Sequence, residues 1–509
     1  MAVNVNVNET ETSCDVPAGA GLPRLDRLPQ VAAVSEPEQQ RLEADYYDTD
    51  DLRLLRAGIT LRQRSGGNDA GWHLKLPLGH STRREIRRPL NGEGRGVPGE
   101  LARLVRVRTR GAPLRPVAHM TTTRQRVVLL DDAGKSLAEV AADDVSAQTL
   151  GQSTAVSRWQ EVEVELTGGD RQLLKAADDL LRHHDGLRPA GRAAKLARAL
   201  GGRLPEAEDP PPLTASSPAG QVVLAYLRAH TARLTSLDPM VRRDEPDSVH
   251  QMRVATRRLR STLRSFGKII RRGDTQRLAD ELKWLGDVLG EARDGEVLAG
   301  HLQANLRQMP PELVVGPIQA RVQGHFAPAR AAARDALLAA LDSQRYLSLL
   351  DELDRLLAQP PLTRRAARPA ADVLPAAVRR AYRKTARRMR RARHAAAGPP
   401  QDAALHEVRK AAKQARYAGE AVTPAIGAKA RRFTRRMKKL QSVLGDHHDA
   451  VIAREVEREL GMSAHLAGEN AFSYGLLSGR DDCDRERLQA QAYRACKQAS
   501  RPRYRRWMR

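Results

Sequence analysis

The chain has 509 residues, 41% of them hydrophobic, and a formal net charge of +25. At about 100–200 residues per domain that length allows roughly two to four domains, and the apolar share excludes a globally disordered chain. The charge asks for a polyanion, whether nucleic acid, anionic membrane or condensed phosphate, while aromatic residues at only 3% argue against a reader of single strands, which stacks bases on rings.

The first residues, 1–13, are polar and lack the apolar centre of a signal peptide. No run of about 18 apolar residues could span a bilayer, so the default location is the cytoplasm. Cys14, Cys483 and Cys496 are odd in number and without metal-ligand spacing, which predicts neither a disulfide framework nor a zinc site.

Residues 58–65 (GITLRQRS) and 71–76 (GWHLKL) alternate apolar and polar and read as strands, with a hairpin turn at 66–69. Residues 126–130 and 159–166 read the same way, and helices are expected near 101–107 and 173–182. The result is an antiparallel sheet with a few helices. Alternation puts Arg62 and Arg64 on one face, His73 and Lys75 on one face of the next strand, and Arg83, Glu85 and Arg87 together. Glu161, Glu163 and Glu165 project to one side between Val162 and Val164. A closed sheet would gather these charges in one lumen, where carboxylates hold Mg²⁺ or Mn²⁺ and the cations clamp a triphosphate. For any one strand the alternative is a charged face open to water.

Residues 201–220 (GGRLPEAEDPPPLTASSPAG) carry a linker composition. The expected division is 1–202, a linker at 203–216, and 217–509. Beyond the linker the text is Ala-, Arg- and Leu-rich with helical periodicity. Helices are predicted near 219–237, 246–268, 274–306, 317–358, 373–394, 401–421, 427–461 and 481–509, with a breaker at Gln359-Pro360-Pro361.

This half contains a repeat, about 217–358 and 373–509. His250-Gln251-Met252-Arg253 returns as His406-Glu407-Val408-Arg409, 156 residues on. Leu289-Gly290-Glu291-Ala292-Arg293-Asp294 returns as Leu444-Gly445-Asp446-His447-His448-Asp449, 155 residues on. Two similar bundles are expected. His250, Arg253, Arg257 and Arg260 fall within an arc of about 80° on a helix, and His406, Arg409, Lys413 and Arg416 repeat that spacing. Such a stripe repels itself unless an anion sits on it, and Arg forks with Lys and His suit phosphate oxygens. The competing readings are a solvated face and a helix lying on nucleic acid. Lys283 and Lys438 add a cation at matching places, and the tail Arg501-Pro502-Arg503-Tyr504-Arg505-Arg506 adds more. Gly290 and Gly445 are expected to permit close helix contact, and Asp294 and Asp449 to orient Arg or His partners. His447 and His448 diverge by about 100° on a helix, which argues against one shared ion.

On Tyr46-Tyr47-Asp48-Thr49, Leu54-Leu55-Arg56-Ala57-Gly58-Ile59-Thr60-Leu61-Arg62, Trp72-His73-Leu74-Lys75-Leu76, Glu161-Val162-Glu163-Val164-Glu165-Leu166 and Lys195-Leu196-Ala197-Arg198-Ala199-Leu200, residues from about 9 to 202 resemble the CYTH, or triphosphate-tunnel, family. On the doubled His-Arg pattern, residues from about 217 to 509 resemble the CHAD family, the conserved histidine α-helical domain, and the pairing resembles bacterial CYTH–CHAD proteins. The resemblance implies an α+β antiparallel β-tunnel hydrolysing inorganic triphosphate with a divalent metal. It also implies an all-α module of two repeated bundles that binds polyphosphate, and association with polyphosphate granules. By position, Arg62, Arg64, Lys75, Arg124, Arg126 and Lys195 would contact phosphate and Glu9, Glu11, Glu161 and Glu163 would hold metal. In the helical half, His250, Arg253, Arg257, Arg260 and Lys283, with His406, Arg409, Lys413, Arg416 and Lys438, would contact polyphosphate.

The family's Glu-x-Glu-x-Lys signature reads here Glu9-Thr10-Glu11-Thr12-Ser13. Serine cannot supply the charge that helps position or activate the attacking water. The expected function is therefore polyphosphate binding, with weak or lost triphosphatase activity in the first domain. The alternatives are an active metal-dependent triphosphatase fed by the helical domain, and a nucleic-acid-binding scaffold.

Overall fold

Charged and apolar residues alternating along one strand can both be satisfied if the sheet closes with its charges inside. The first unit does this. The structure is a computed structural model describing residues 6–17, 23–78, 82–90, 96–151, 154–183, 187–189, 195–201 and 211–509. It divides into two units, Met1–Asp209 and Pro210–Arg509. The N-terminal residues 1–5 and most of the expected linker, 203–210, lie outside the described residues.

The strands of the first unit are β1 (Asn6–Val16), β2 (Ala33–Val34), β3 (Glu38–Asp48), β4 (Thr60–Ser65), β5 (Gly71–Pro77), β6 (Thr82–Arg88), β7 (Arg115–Leu130), β8 (Ser136–Thr149), β9 (Val156–Leu166) and β10 (Arg188–Pro189). Eight of them close an antiparallel barrel in the order β1-β6-β5-β4-β3-β7-β8-β9, with β9 returning to β1. β1 makes the closure: Asn6 to Thr10 pair with β6, and Glu11 to Val16 pair with β9. β2 pairs with β7 and β10 with β1. Among the described residues, closure leaves the order of the eight barrel strands without an edge strand.

The apolar residues face outward, under helices. Val162 and Val164 of β9 pack with Leu173, Ala177 and Leu181 of α3 (Arg171–His183). Leu61, Trp72, Leu74 and Ile86 pack with Leu101, Leu104 and Val105 of α2 (Gly99–Thr109). Short α1 (Arg53–Arg56) precedes β4, and α4 (Lys195–Leu200) packs through Leu196, Ala199 and Leu200 against Ala118, Met120, Val145 and Trp159. The 66–69 turn needs glycine at 66: φ is +79°, and a Cβ there would lie 2.2 Å from the Arg41 carbonyl oxygen.

Several strands exceed the sequence expectation. β7 runs from Arg115, not from 126, and β1, β3 and β8 were not anticipated. β8 (SLAEVAADDVSAQT) is rich in Ala and Asp, poor strand formers, and pairing on both sides with β7 and β9 overrides that preference.

Among its described residues the second unit has nine α-helices: α5 (Ala219–Arg242), α6 (Ser248–Ser265), α7 (Arg272–Arg307), α8 (Ile318–Asp342), α9 (Gln344–Ala358), α10 (Ala370–Arg393), α11 (Pro399–Ile426), α12 (Ala428–Leu466) and α13 (Phe472–Ala499). The region expected as one helix at 317–358 is two. Ser343 leaves helical geometry, and its hydroxyl accepts the Tyr346 N–H at 3.2 Å to cap α9. The helix expected to run to 509 stops at Ala499. Pro502, which has no N–H, then opens a 3₁₀ turn, Pro502–Tyr504, followed by Arg506–Met508.

The two repeats meet at their starts. Ala219 N–H donates to Arg368 O and Ala370 N–H to Ser217 O, both at 2.9 Å, forming a reciprocal bridge about Pro218 and Pro369. α6 packs on α11 and α7 on α12, so the two His-Arg helices become neighbours. Among the described residues no disulfide joins Cys14, Cys483 and Cys496. Among the described residues no helix is long and apolar enough to cross a membrane.

Candidate functional sites

In the second unit, α6 and α11 bury Met252, Leu259, Val408 and Ala415 and turn their cationic rows toward each other. Both rows line one groove of about 1140 Å³. His250, Arg253, Arg257 and Arg260 reach it from α6, and His406, Arg409 and Lys413 from α11. Three expected residues do not. Arg416, a full turn further along α11, donates to Glu420 Oε1 (2.7 Å) and Gln441 Oε1 (3.0 Å). Lys283 and Lys438 are exposed and are not among the lining residues. Sequence reasoning missed Arg264, Arg293, Lys384, Arg388, Lys410 and His448, which complete the wall. Arg293 and His448 hold matching places in the second repeated motif, which was the available signal. Lys384 and Arg388 come from α10, which carries neither motif.

Both motif glycines lie against an arginine, tightly at Gly290 and at ordinary contact distance at Gly445. A Cβ on Gly290 would lie 2.9 Å from Nη2 of Arg253, and one on Gly445 would lie 3.6 Å from Nη2 of Arg409. Each glycine thus faces an arginine of the helix packed against its own, so the close contact expected there is made to a side chain. Asp294 orients Arg253, accepting from Nη1 at 2.6 Å and Nη2 at 3.3 Å, and Asp449 lies 4.0 Å from Arg409 Nη2. His447 and His448 diverge: His447 is buried 3.3 Å from Asp402, while His448 faces His406.

Crowded cations depress one another. Lys413 is pushed down to about 6, first by burial, then by Arg409, Arg257 and Arg253. His406 falls to about 4 through burial, then Lys410 and Arg409, and His448 to about 3 through burial, then His406 and Arg409. Burial, more than Arg293, Arg257 and Arg253, also lowers His250. The Nε–H groups of Arg257, Arg293 and Arg409 are buried without a hydrogen-bond partner among the described residues. This groove is arranged to receive negative charge and oxygen acceptors.

In the first unit, the lumen is a cavity of about 1040 Å³. All ten residues expected there line it: Glu9, Glu11, Arg62, Arg64, Lys75, Arg124, Arg126, Glu161, Glu163 and Lys195. Glu85, Arg83, Arg87, Arg198, Glu139 and Glu165 join them. Lys75 meets Glu9 at 2.6 Å, Arg83 meets Glu11 at 3.1 Å, and Arg126 meets Glu139 at 2.8 Å. His73 Nδ1 lies 2.8 Å from Glu85. Arg64 falls to about 9 through burial and the charges of Arg62 and Arg124.

Three carboxylates, Asp143, Glu161 and Glu163, bring an oxygen each within 4.8 Å of one another. They share one ammonium: Lys195 Nζ contacts Asp143 and lies 2.9 Å from Glu161 and 3.1 Å from Glu163. Arg124 binds Asp143 at 2.7 Å and Glu163 at 3.2 Å. Burial favours the neutral form of Glu163, but Lys195 and Arg124 outweigh it and hold the carboxyl well below its usual range. Glu9 and Glu11 lie in the same lumen but outside this convergence. Asp143 went unread because it sits on β8, where the sequence gives no strand signal.

Residues 10–196 match the CYTH domain and residues 225–457 the CHAD domain. The uncharacterized protein Rv2226 of Mycobacterium tuberculosis strain H37Rv is 38% identical over 488 residues, which is 92% of each chain, and MT2285 of strain CDC 1551 matches to the same extent. The chain belongs to the CYTH–CHAD family. Among solved structures, PptA from Streptomyces chartreusis is 24% identical, covering 56% of this chain and 99% of its own, with a TM-score of 0.46. The CHAD domain from the plant Ricinus communis is 25% identical, covering 60% and 97%, with a TM-score of 0.40.

The barrel is thus a CYTH triphosphate-tunnel domain and the helical unit a CHAD domain. Clustered carboxylate oxygens in the CYTH lumen are the donor set that divalent, oxygen-seeking cations take, so the residues fit the metal dependence usual in the family. The repulsive wall of the CHAD groove is of the opposite kind and suits an anion.

Proposed function

We propose that the CHAD domain binds inorganic polyphosphate in its groove and that the CYTH tunnel binds triphosphate with weak or lost hydrolysis. The observation that carries the first part is the convergence of both cationic rows on one cavity, with buried arginine N–H groups left for an acceptor. A string of phosphates satisfies every one of these groups and needs no base-stacking surface. The test compares long-chain polyphosphate with duplex DNA at equal salt. Polyphosphate should bind more tightly, and equal or tighter DNA binding overturns the reading. The double variant Arg253→Gln/Arg409→Gln should weaken polyphosphate binding by about 100-fold, since charge-assisted hydrogen bonds contribute about 1.5–3 kcal/mol each. Residence in the cytoplasm, on polyphosphate granules, belongs to the same proposal, and imaging a tagged chain would locate it.

In the tunnel, Asp143, Glu161 and Glu163 would hold Mg²⁺ or Mn²⁺, and Arg62, Arg64, Arg124, Arg126, Lys75 and Lys195 would bind phosphate oxygens. Such a metal polarises a phosphoryl oxygen and offsets charge on the transferred group. Ser13 supports weak activity, because it lies opposite Glu163 in the β1–β9 register and brings no charge. A second reading, an active triphosphatase, is favoured by the intact acidic cluster and its arginines. Phosphate release from tripolyphosphate with Mg²⁺ or Mn²⁺, compared with Glu161→Gln, separates the two: release no faster than that control excludes the active enzyme.

A further inference from the structure

The net charge does not come from the groove. Three segments of the CHAD domain, 373–401, 421–445 and 487–509, contain nine, seven and eight Lys or Arg and no Asp or Glu. Without these 24 cations the chain has 62 basic residues against 61 acidic ones, so nearly the whole excess of +25 resides here. Only Lys384 and Arg388 of the 24 line the groove.

The fold brings the three segments together. The first is most of α10, the second includes the first half of α12, and the third ends α13 and forms the C-terminal turns. A small aromatic cluster joins them. Tyr382 of α10 meets Phe433 of α12 edge-on at 6.1 Å, and Phe433 meets Trp507 of the tail at 6.2 Å. Arg436 donates to the Tyr504 hydroxyl at 2.8 Å, and the Arg505 guanidinium lies 5.1 Å from the Tyr382 ring centre. Around this cluster Arg383, Arg387, Arg391, Arg431, Arg435 and Lys439 are exposed. On α10, Arg383, Arg387 and Arg391 form an i, i+4, i+8 row one residue-step from Lys384 and Arg388, so charge wraps that helix from the groove wall to the outside.

We infer that this acid-free face is a second polyanion track, on which a polyphosphate chain continues after leaving the groove over α10. The inference rests on the proposed groove function. Polyphosphate is favoured over nucleic acid because three of the cluster's four rings are buried, Phe433 at 0%, Tyr382 at 6% and Tyr504 at 7% exposure, which leaves the partly buried Trp507 as the one ring of the cluster that could meet a base. α10 also links the face directly to the groove. A chain short enough to stay in the groove gains nothing from the face, whereas a long chain gains further phosphate contacts.

The test uses the full chain and the exposed triple variant Arg383→Gln/Arg387→Gln/Arg391→Gln. Affinities for long-chain polyphosphate, linear hexaphosphate and duplex DNA are measured across a salt series. Long-chain affinity should fall at least about tenfold, and the slope of log K against log salt should become shallower by about 2, at about 0.7 per phosphate released from contact. Hexaphosphate binding should not change. The Lys triple at the same positions should keep the original slope, which separates charge from folding. An unchanged long-chain affinity and slope overturns the track. So does loss of DNA binding with long-chain binding intact, which would assign the face to nucleic acid. If Arg253→Gln/Arg409→Gln leaves hexaphosphate binding intact, the groove reading fails instead, so the two failures are distinguishable.

Discussion

His406 and His448 face each other across α11 and α12 with their Nδ1 atoms 3.2 Å apart and their ring centres 4.1 Å apart. Neutral rings can share one proton at that distance, but two imidazolium rings repel. The first repeat places Arg293 where the second has His448, so the two halves of the groove differ in how their charge depends on pH.

That difference predicts proton-linked binding. In the free protein Lys413 titrates near 6, His406 near 4 and His448 near 3. A bound polyanion favours the charged forms and raises all three, so binding takes up protons. Affinity should climb as pH falls from about 9 toward 6 through Lys413, and climb again between about 6.5 and 4 through the histidines. Titrations at fixed ionic strength check this. Lys413→Arg, always charged, should flatten the upper limb only; an affinity that grows with rising pH would sink the scheme.

Gly290→Ala separates stability from binding. In an exposed helix interior Ala stabilises by about 1 kcal/mol relative to Gly. Here its methyl would press on the Arg253 guanidinium at 2.9 Å, whereas at Gly445 the spacing to Arg409 is 3.6 Å. Gly290→Ala should therefore weaken polyphosphate binding several-fold more than Gly445→Ala, with no loss of melting temperature. Equal binding by both variants would show that Gly290 is no seat for Arg253.

A buried carboxyl network joins the two repeats. Asp481 accepts from His301 Nε2 at 3.0 Å and Asn305 Nδ2 at 3.1 Å. Glu457 beside it is fully buried and raised to about 8 by burial and by Asp481. An acid raised above its unfolded value stabilises the fold at low pH, and that contribution disappears as pH rises through the folded value. Glu457→Gln should thus match the parent near pH 5 and melt a few degrees higher near pH 9, for a difference of about 1–3 kcal/mol. A gap that stays constant with pH would place the proton elsewhere.

Ser13→Lys tests the CYTH deficit. The position lines the lumen and pairs with Glu163 across β1 and β9. A charge restored there should raise hydrolysis of tripolyphosphate at least about tenfold, within the range for a positioned proton-transfer or electrostatic group. No gain over the parent in phosphate release would show that Ser13 is not what limits the tunnel.

Periodicity alone determined a good deal here. Alternation assigned Arg62, Arg64, Lys75, Glu161 and Glu163 to one face of their strands, and the 156-residue repeat exposed two matched cationic rows. A period states which side of an element a residue occupies, and that is a local property of the backbone. It does not state which element lies opposite. Only the tertiary structure placed Asp143 beside Glu161 and Glu163, because that depends on the β8–β9 register of a strand with weak intrinsic preference. Only packing brought Lys384 and Arg388 of α10 to the groove and turned Arg416 away toward Glu420. Likewise, the three acid-free segments were plain in the text, but their meeting around Phe433 follows from long-range contacts between apolar rings, which no local spacing records.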